Sequence, residues 1–323
     1  MLAQLSVEFP NFGIKLHDMP IGVDFGSFHI AFYGMFIGLG MILGTLISLN
    51  YVRKIGYDVE DFLDLALGII AFCLVGARAY YVLFRWDYYS KNPKEIIMLK
   101  EGGLAIYGGI IAGAIVCFVF VKIKKIPFLL VADVAMEGLL IGQILGRWGN
   151  FTNRECFGTA CTTKNPLAMR IYFDKYFSSS DVPDVVAKGM EKITGKSIDA
   201  LGYVQVHPTY LYESLGNLIL LIIVIIVAKK KKFDGQMFFT YLIGYGAIRF
   251  FVEGLRTDQL QIRNTGIAVS QALSGVLFVC GILLMVFNSK VSKTLIGKNR
   301  FGTEEIVVKE GSKEEVKETS EDK

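Results

Sequence analysis

An all-α membrane protein that crosses the bilayer seven times is the fold class this sequence predicts, and three observations predict it. The 323 residues are 53% hydrophobic and only 20% charged, with a mean hydropathy of +0.46, which excludes a disordered chain and departs from the composition of a soluble globule. Apolar stretches long enough to cross roughly 30 Å of hydrocarbon recur along the chain. Clusters of Lys and Arg follow every second stretch, the pattern that the positive-inside rule imposes on a multi-span protein. The formal net charge of +4 argues for no nucleic-acid partner, so the placement of the positive residues carries the information. Three His are a poor stock for a metal site.

The first 27 residues lack both a basic n-region and a continuous apolar h-region, so they read as an outer arm and not as a cleavable signal peptide. Seven apolar segments follow, at 28–50, 62–84, 104–121, 128–147, 209–228, 236–253 and 266–287. Each is expected to be a helix, because lipid leaves backbone groups no other partner. Arg53 and Lys54 follow the first, Lys122, Lys124 and Lys125 the third, Lys229, Lys230, Lys231 and Lys232 the fifth, and a Lys-rich tail the seventh. Those loops are expected in the cytoplasm, with the N-terminus outside and the C-terminus inside. The 85–103 loop also holds Lys and Arg, against four inner segments that agree with one another.

Residues 148–208 contain no spanning run and are expected to form a small outer head between the fourth and fifth helices, with short helices of its own. The membrane body is thus 28–288. Residues 289–323 carry eight basic and eight acidic side chains and read as a solvated cytoplasmic tail, partly disordered. Small residues at four-residue spacing, Gly34 and Gly38, Gly40 and Gly44, Gly109 and Gly113, then Gly138, Gly142 and Gly146, suit close helix packing in lipid. Cys73, Cys117 and Cys280 lie in apolar runs as small core residues; Cys156 and Cys161 lie in a polar segment, where their spacing alone does not demand a bridge.

Ionisable residues inside spans are costly, roughly 2.5 to 3.5 kcal/mol each at the centre on insertion scales, so each needs a partner or a task. With the orientation above, Tyr33, Tyr107, Arg147, Glu213, Arg249, Glu253 and Arg256 come to one depth, the outer leaflet. Asp64, Arg78 and Asp133 stand apart and read as structural pairing or capping groups. Arg249, Glu253 and Arg256 share one face of the sixth helix by their spacing. On that helix alone they suit an interfacial salt bridge, but Arg147 on another helix at the same level makes a phosphate site of them, since guanidinium binds phosphate with two prongs. An anionic-lipid transporter or flippase would use such groups too, though it calls for broken helices, midplane charge and inverted repeats that the sequence does not display.

Residues 146–158, Gly-Arg-Trp-Gly-Asn-Phe-Thr-Asn-Arg-Glu-Cys-Phe-Gly, read as a helix end at Arg147 followed by a Gly able to take positive φ, two carboxamides and Glu155. This segment closely resembles the signature of bacterial prolipoprotein diacylglyceryl transferases. Phe32-Tyr33-Gly34, the block from His207 to Glu213 (His-Pro-Thr-Tyr-Leu-Tyr-Glu) and the block from Arg249 to Arg256 (Arg-Phe-Phe-Val-Glu-Gly-Leu-Arg) resemble further blocks of that family in order and spacing. The resemblance implies a seven-span enzyme of the bacterial inner (cytoplasmic) membrane with its site towards the outer leaflet. It would move the diacylglyceryl group of phosphatidylglycerol onto the lipobox cysteine of a prolipoprotein signal peptide, release glycerol phosphate, and need neither cofactor nor metal. It further implies Arg249, Tyr107, Glu253 and His207 as catalytic residues, and Arg147, Asn150, Asn153, Glu155, Gly158, Tyr33 and Arg256 as substrate-binding ones.

One position departs from the family pattern. Many members carry His where this chain has Tyr107, before Gly108-Gly109. A Tyr of ordinary pKa near 10 is about 0.1% ionised at pH 7, whereas a substrate thiol near 8.5 is already a few per cent thiolate. Tyr107 therefore reads as a hydrogen-bonding positioner, with Arg147 and Arg249 supplying the field that favours thiolate. His207 is the alternative base, or fixes the loop before the fifth helix.

Overall fold

The computed structural model describes residues 5–26, 28–98, 103–257, 259 and 268–291, and within them each apolar segment becomes a helix, save that 28–31 of the first form a strand. Strands β1 (Leu5–Phe9), β2 (Ile14–His17), β3 (Gly22–Phe25) and β4 (Phe28–Ala31) precede α1 (Phe32–Lys54). Then come α2 (Val59–Phe84), a short α3 (Trp86–Tyr89), α4 (Ile106–Lys124) and α5 (Phe128–Asn153). The head contributes β5 (Met169–Tyr172), α6 (Asp184–Thr194), α7 (Ile198–Leu201) and β6 (Tyr203–Val206), after which α8 (Thr209–Lys229), α9 (Gln236–Glu253) and α10 (Val269–Val291) follow. The tail expected beyond residue 291 lies outside the described residues.

Among the described residues, six helices are long and apolar enough to cross a membrane by length and composition: α1, α2, α4, α5, α8 and α10. The seventh expected span is α9, an 18-residue helix whose apolarity is diluted by Gln236, Tyr241, Tyr245, Arg249 and Glu253. It packs against both α8 and α10, and its Tyr241, Gly246 and Glu253 are buried.

Local chemistry sets several helix ends. The Asp58 carboxylate accepts the Glu60 N–H at 2.9 Å and opens α2, while Lys125 (φ 56) and Arg154 (φ 55) close α4 and α5 in the left-handed region. The helix end expected at Arg147 is corrected: α5 runs on to Asn153. Trp148 and Phe151 on this extra turn and a half pack their rings against Tyr210 at 5.6 and 4.7 Å, and that burial extends the helix into the head. Gly149 is accordingly helical; a Cβ there would lie 2.6 Å from the Tyr33 ring, so Gly lets α1 approach α5.

Helices α1 and α5 meet along their glycines. A Cβ on Gly44 would stand 2.7 Å from the Gly138 carbonyl oxygen, and one on Gly40 3.1 Å from the Gly142 Cα. Gly34 and Gly38, expected to pack likewise, face open space. Two buried clusters result. One runs along the bundle, from Ile55, Ile126 and Phe233 in the α1–α2, α4–α5 and α8–α9 connections to Leu140, Leu220 and Tyr241 within α5, α8 and α9. The other, around Val7, Phe157, Ile171, Val186 and Val204, is the core of the head.

The all-α expectation is corrected by two small antiparallel sheets. One runs β2-β1-β5-β6, with Val7 opposite Ile171 and Met169 opposite Val206; the other pairs β3 with β4. The arm is therefore a structural part of the head. Strands of four or five residues carry too little periodicity to be read singly.

Of the residues set apart as structural, Arg78 and Asp133 make such contacts. Arg78 donates to the carbonyls of Glu95, Ile96, Met98 and Gly103 at 2.6 to 3.1 Å and gathers the α2–α4 connection. Asp133 pairs with Lys231 at 2.9 Å and accepts the N–H groups of Gly235 and Phe238, capping α9. Asp64 stays exposed on α2.

Candidate active site

Three helices of the bundle converge their charges on Glu213. This carboxylate, 1% exposed in the first turns of α8, holds Arg147 Nη2 of α5 at 2.9 Å on Oε1 and Arg249 Nη1 of α9 at 2.8 Å on Oε2. Arg249 Nη2 also pairs with Glu253 one turn on, at 2.7 Å, and Glu253 accepts the Ser270 hydroxyl of α10 at 2.5 Å. Both Arg thus gain a fixed direction without exhausting their five N–H donors. A buried ion pair of this kind adds little net stability, but loss of one partner leaves a stranded charge at about 3–5 kcal/mol.

On the other side Arg147 Nη1 donates to Asn150 Oδ1 at 3.2 Å, and Asn150 Nδ2 donates to Glu155 Oε1 at 2.8 Å. Asn153 reaches the same oxygen at 3.5 Å. Guanidinium, carboxamide and carboxylate form a line around the end of α5.

These groups form the polar mouth of a cavity of about 1090 Å³, lined there by Tyr33, Arg147, Asn150, Glu155, Arg249 and Arg256. Below the mouth the lining turns apolar and runs between α1 and α5 on one side and α2 and α4 on the other, down to Leu49, Phe62 and Phe128. From Tyr33 to Leu49 along α1 is about 24 Å at 1.5 Å per residue, most of a hydrocarbon core of about 30 Å. The shape suits one amphiphile with an anionic head and long chains.

The other expected residues stand outside this lining. Tyr107 is 60% exposed at the start of α4, two helical turns before Ala114, which does line the cavity. His207 lies in the head, its Nδ1 3.0 Å from Asn165 Nδ2 and 3.1 Å from the Tyr212 hydroxyl. The amide nitrogen can only donate, so Nδ1 accepts, and burial lowers the imidazole pKa from its ordinary value. The Gly158 N–H donates to the His207 carbonyl at 2.9 Å, and Gly158 bridges to Arg256. A Cβ on Gly158 would lie 2.9 Å from His207 and 3.0 Å from the Leu255 carbonyl, so this Gly lets the chain after α9 close onto the head.

Some neighbours were not picked out from sequence. Gln143, one turn before Arg147, donates to the Tyr241 hydroxyl at 2.7 Å, and Tyr241 stacks on Tyr245 at 5.2 Å. Their spacing, four residues apart and four from Arg249, was the available signal. Cys156 lines the mouth, and no disulfide joins it to Cys161.

The sequence profile described as prolipoprotein diacylglyceryl transferase matches residues 20–287, which takes in the mouth, the cavity and the head. The chain belongs to the prolipoprotein diacylglyceryl transferase family. A phosphatidylglycerol–prolipoprotein diacylglyceryl transferase of Finegoldia magna is 42% identical over 258 residues, 80% of this chain and 90% of that protein. The protein of the same name from Lactobacillus acidophilus is 39% identical over 281 residues, 86% and 93% of the two chains. That from Bacillus mycoides is 37% identical over 273 residues, 84% and 93%. Membership of the diacylglyceryl transferase family agrees with the resemblance read from residues 146–158.

Proposed function

We propose that this chain transfers the diacylglyceryl group of phosphatidylglycerol to the lipobox cysteine of prolipoproteins, with the cavity holding the lipid and its mouth carrying the chemistry. The observation that carries the site assignment is the pairing of Arg147 and Arg249, at the head of a long apolar slot, on one shared carboxylate. The acyl chains lie along α1 and α5, and the phosphate takes the donors that Glu213 leaves unused on Arg147 and Arg249. The substrate sulfur attacks the glycerol carbon, the bond from that carbon to the phosphate oxygen breaks, and a thioether and glycerol phosphate result. The two guanidinium groups stabilise the charge that grows on the departing phosphate. The same field favours thiolate over thiol in the acceptor.

Glu253 holds Arg249 in line; Arg256, Tyr33, Asn150, Asn153 and Glu155 bind the polar part of the lipid; Gly158 and His207 hold the loop against the head. Tyr107, exposed at the start of α4 and outside the cavity lining, acts as a positioner for incoming substrate. In our reading α9 is the seventh span, sheltered between α8 and α10. The arm (1–27) and head (148–208) are outside, the tail (289–323) is in the cytoplasm, and the site in the membrane body (28–288) opens to the outer leaflet. Lys231 of the basic α8–α9 connection pairs with Asp133 in the first turns of α5, whereas the far end of α5 enters the head, which supports that orientation.

Vesicles containing phosphatidylglycerol, the purified full chain and a lipobox peptide separate this reading from lipid transport. Thioether-modified peptide is the expected result. Movement of labelled phosphatidylglycerol between leaflets with unmodified peptide would replace the transferase with a flippase.

A further inference from the structure

Glu155 sits between two residues forced into the left-handed region, Arg154 at φ 55 and Cys156 at φ 57. Neither is Gly, so the surroundings must hold both. On the Cys156 side the carbonyl accepts the Thr209 hydroxyl. On the other side the Arg154 side chain turns away from the cavity and is wholly buried in the head. There Nη2 lies 2.9 Å from Asp174 Oδ2 and Nη1 3.2 Å from Oδ1, a two-pronged pair, while Nη2 also donates to the Met19 carbonyl at 2.6 Å. Asp174 accepts the Ser6 hydroxyl at 3.0 Å, and Ser6 accepts the Met19 N–H at 3.1 Å. One side chain therefore ties the end of α5 to both the arm and the head. A Gly would end the helix without steric cost or a buried charge; Arg at this point has a further task.

We propose that Arg154 is a positioning residue for the transfer reaction: its clamp on Asp174 and Met19 fixes the turn that presents the Glu155 carboxylate to Asn150 at the cavity mouth. The clamp is read from geometry, while its effect on turnover rests on the transferase reading above. Removing it lets residues 153–156 leave the left-handed turn, and Glu155 leaves Asn150. The cavity and Arg147 stay in place, so lipid still enters, but it loses a polar contact at the mouth and kcat/KM falls.

Two measurements on the full chain in phosphatidylglycerol nanodiscs test this. Arg154→Gly accepts the same backbone without the clamp, and Asp174→Asn loosens the clamp from its far side. Mass-mapped maleimide labelling reads the turn directly through Cys156, which should react about tenfold faster in both variants; unchanged rates in both overturn the proposal. In a double-mutant cycle, Arg154→Gly should lower kcat/KM for phosphatidylglycerol about tenfold, and lower it less than about twofold further when Glu155 is already Gln. Losses that multiply independently, which a purely structural anchor would give, also overturn it. A wild-type chain that forms no thioether refutes the transferase reading, and the labelling rates then decide the clamp alone.

Discussion

Arg147 and Arg249, on different helices, hold opposite oxygens of one buried carboxylate, at 2.9 and 2.8 Å. Glu213 therefore orients both guanidinium groups before any lipid arrives, which is what stabilisation of a developing charge requires. Arg147→Lys keeps the charge but cannot serve Glu213, Asn150 and a phosphate together. It should lower kcat/KM about 100-fold in a lipobox-peptide assay. Near-normal turnover in both Arg147→Lys and Arg147→Ala would leave this Arg as an interfacial anchor.

Tyr107 at the start of α4 is expected to position substrate and not to take its proton. Tyr107→Phe should keep measurable activity, reduced about tenfold to a hundredfold, the scale of one or two hydrogen bonds to charged groups. Its pH profile should match that of the wild type. Complete loss of turnover in a folded, lipid-binding Tyr107→Phe chain would make Tyr107 the proton acceptor.

Much of this was legible beforehand, for identifiable reasons. Spanning helices declare themselves because apolarity over about 20 residues is a local property, and the block from Gly146 to Gly158 concentrates its chemistry in thirteen positions. The sheet was not legible, because Val7 pairs with Ile171, and strands so far apart and so short leave no joint pattern. Nor was the cavity, which is a gap between α1 with α5 and α2 with α4 and belongs to no single segment. Glu213 stood out as a charge in a span, but its double pairing needed the packing of α5, α8 and α9.

Close contact of α1 with α5 supports one wall of the cavity. Gly138→Val would drive a side chain into the Gly44 backbone and should destabilise the chain by about 1–3 kcal/mol. Gly34→Ala, with open space around it, should be neutral. Thermal unfolding in detergent checks the pair; equal effects would mean that this contact does not hold the wall.

The head should respond to pH through His207. Burial holds this imidazole below its ordinary value of 6.5, so the unfolded head binds the proton more readily than the folded one. Its contribution is present above pH 6.5 and is lost as pH falls through the lowered folded value. Hydrogen exchange in peptides from 154–208, corrected for intrinsic rates, should quicken between about pH 7.5 and about pH 5.5 in the wild type. It should quicken less in His207→Asn, and an equal response would assign the effect to other groups.

Orientation is checked with single cysteines in a background lacking the native five. Cys at Ser180 in the head should react with an impermeant maleimide on intact cells, and Cys at Lys230 only after permeabilisation. The reverse pattern would move the mouth of the cavity to the cytoplasmic leaflet.

Phosphatidylglycerol is expected to be consumed at the mouth formed by Arg147 and Arg249. Purified chain, glycerol-labelled phosphatidylglycerol and a lipobox peptide, followed by mass spectrometry, test it most directly. One glycerol phosphate should be released for each thioether formed, and neither product should form with a peptide whose cysteine is replaced by Ser. Glycerol phosphate released without the thiol, or peptide modified without glycerol phosphate, would contradict it.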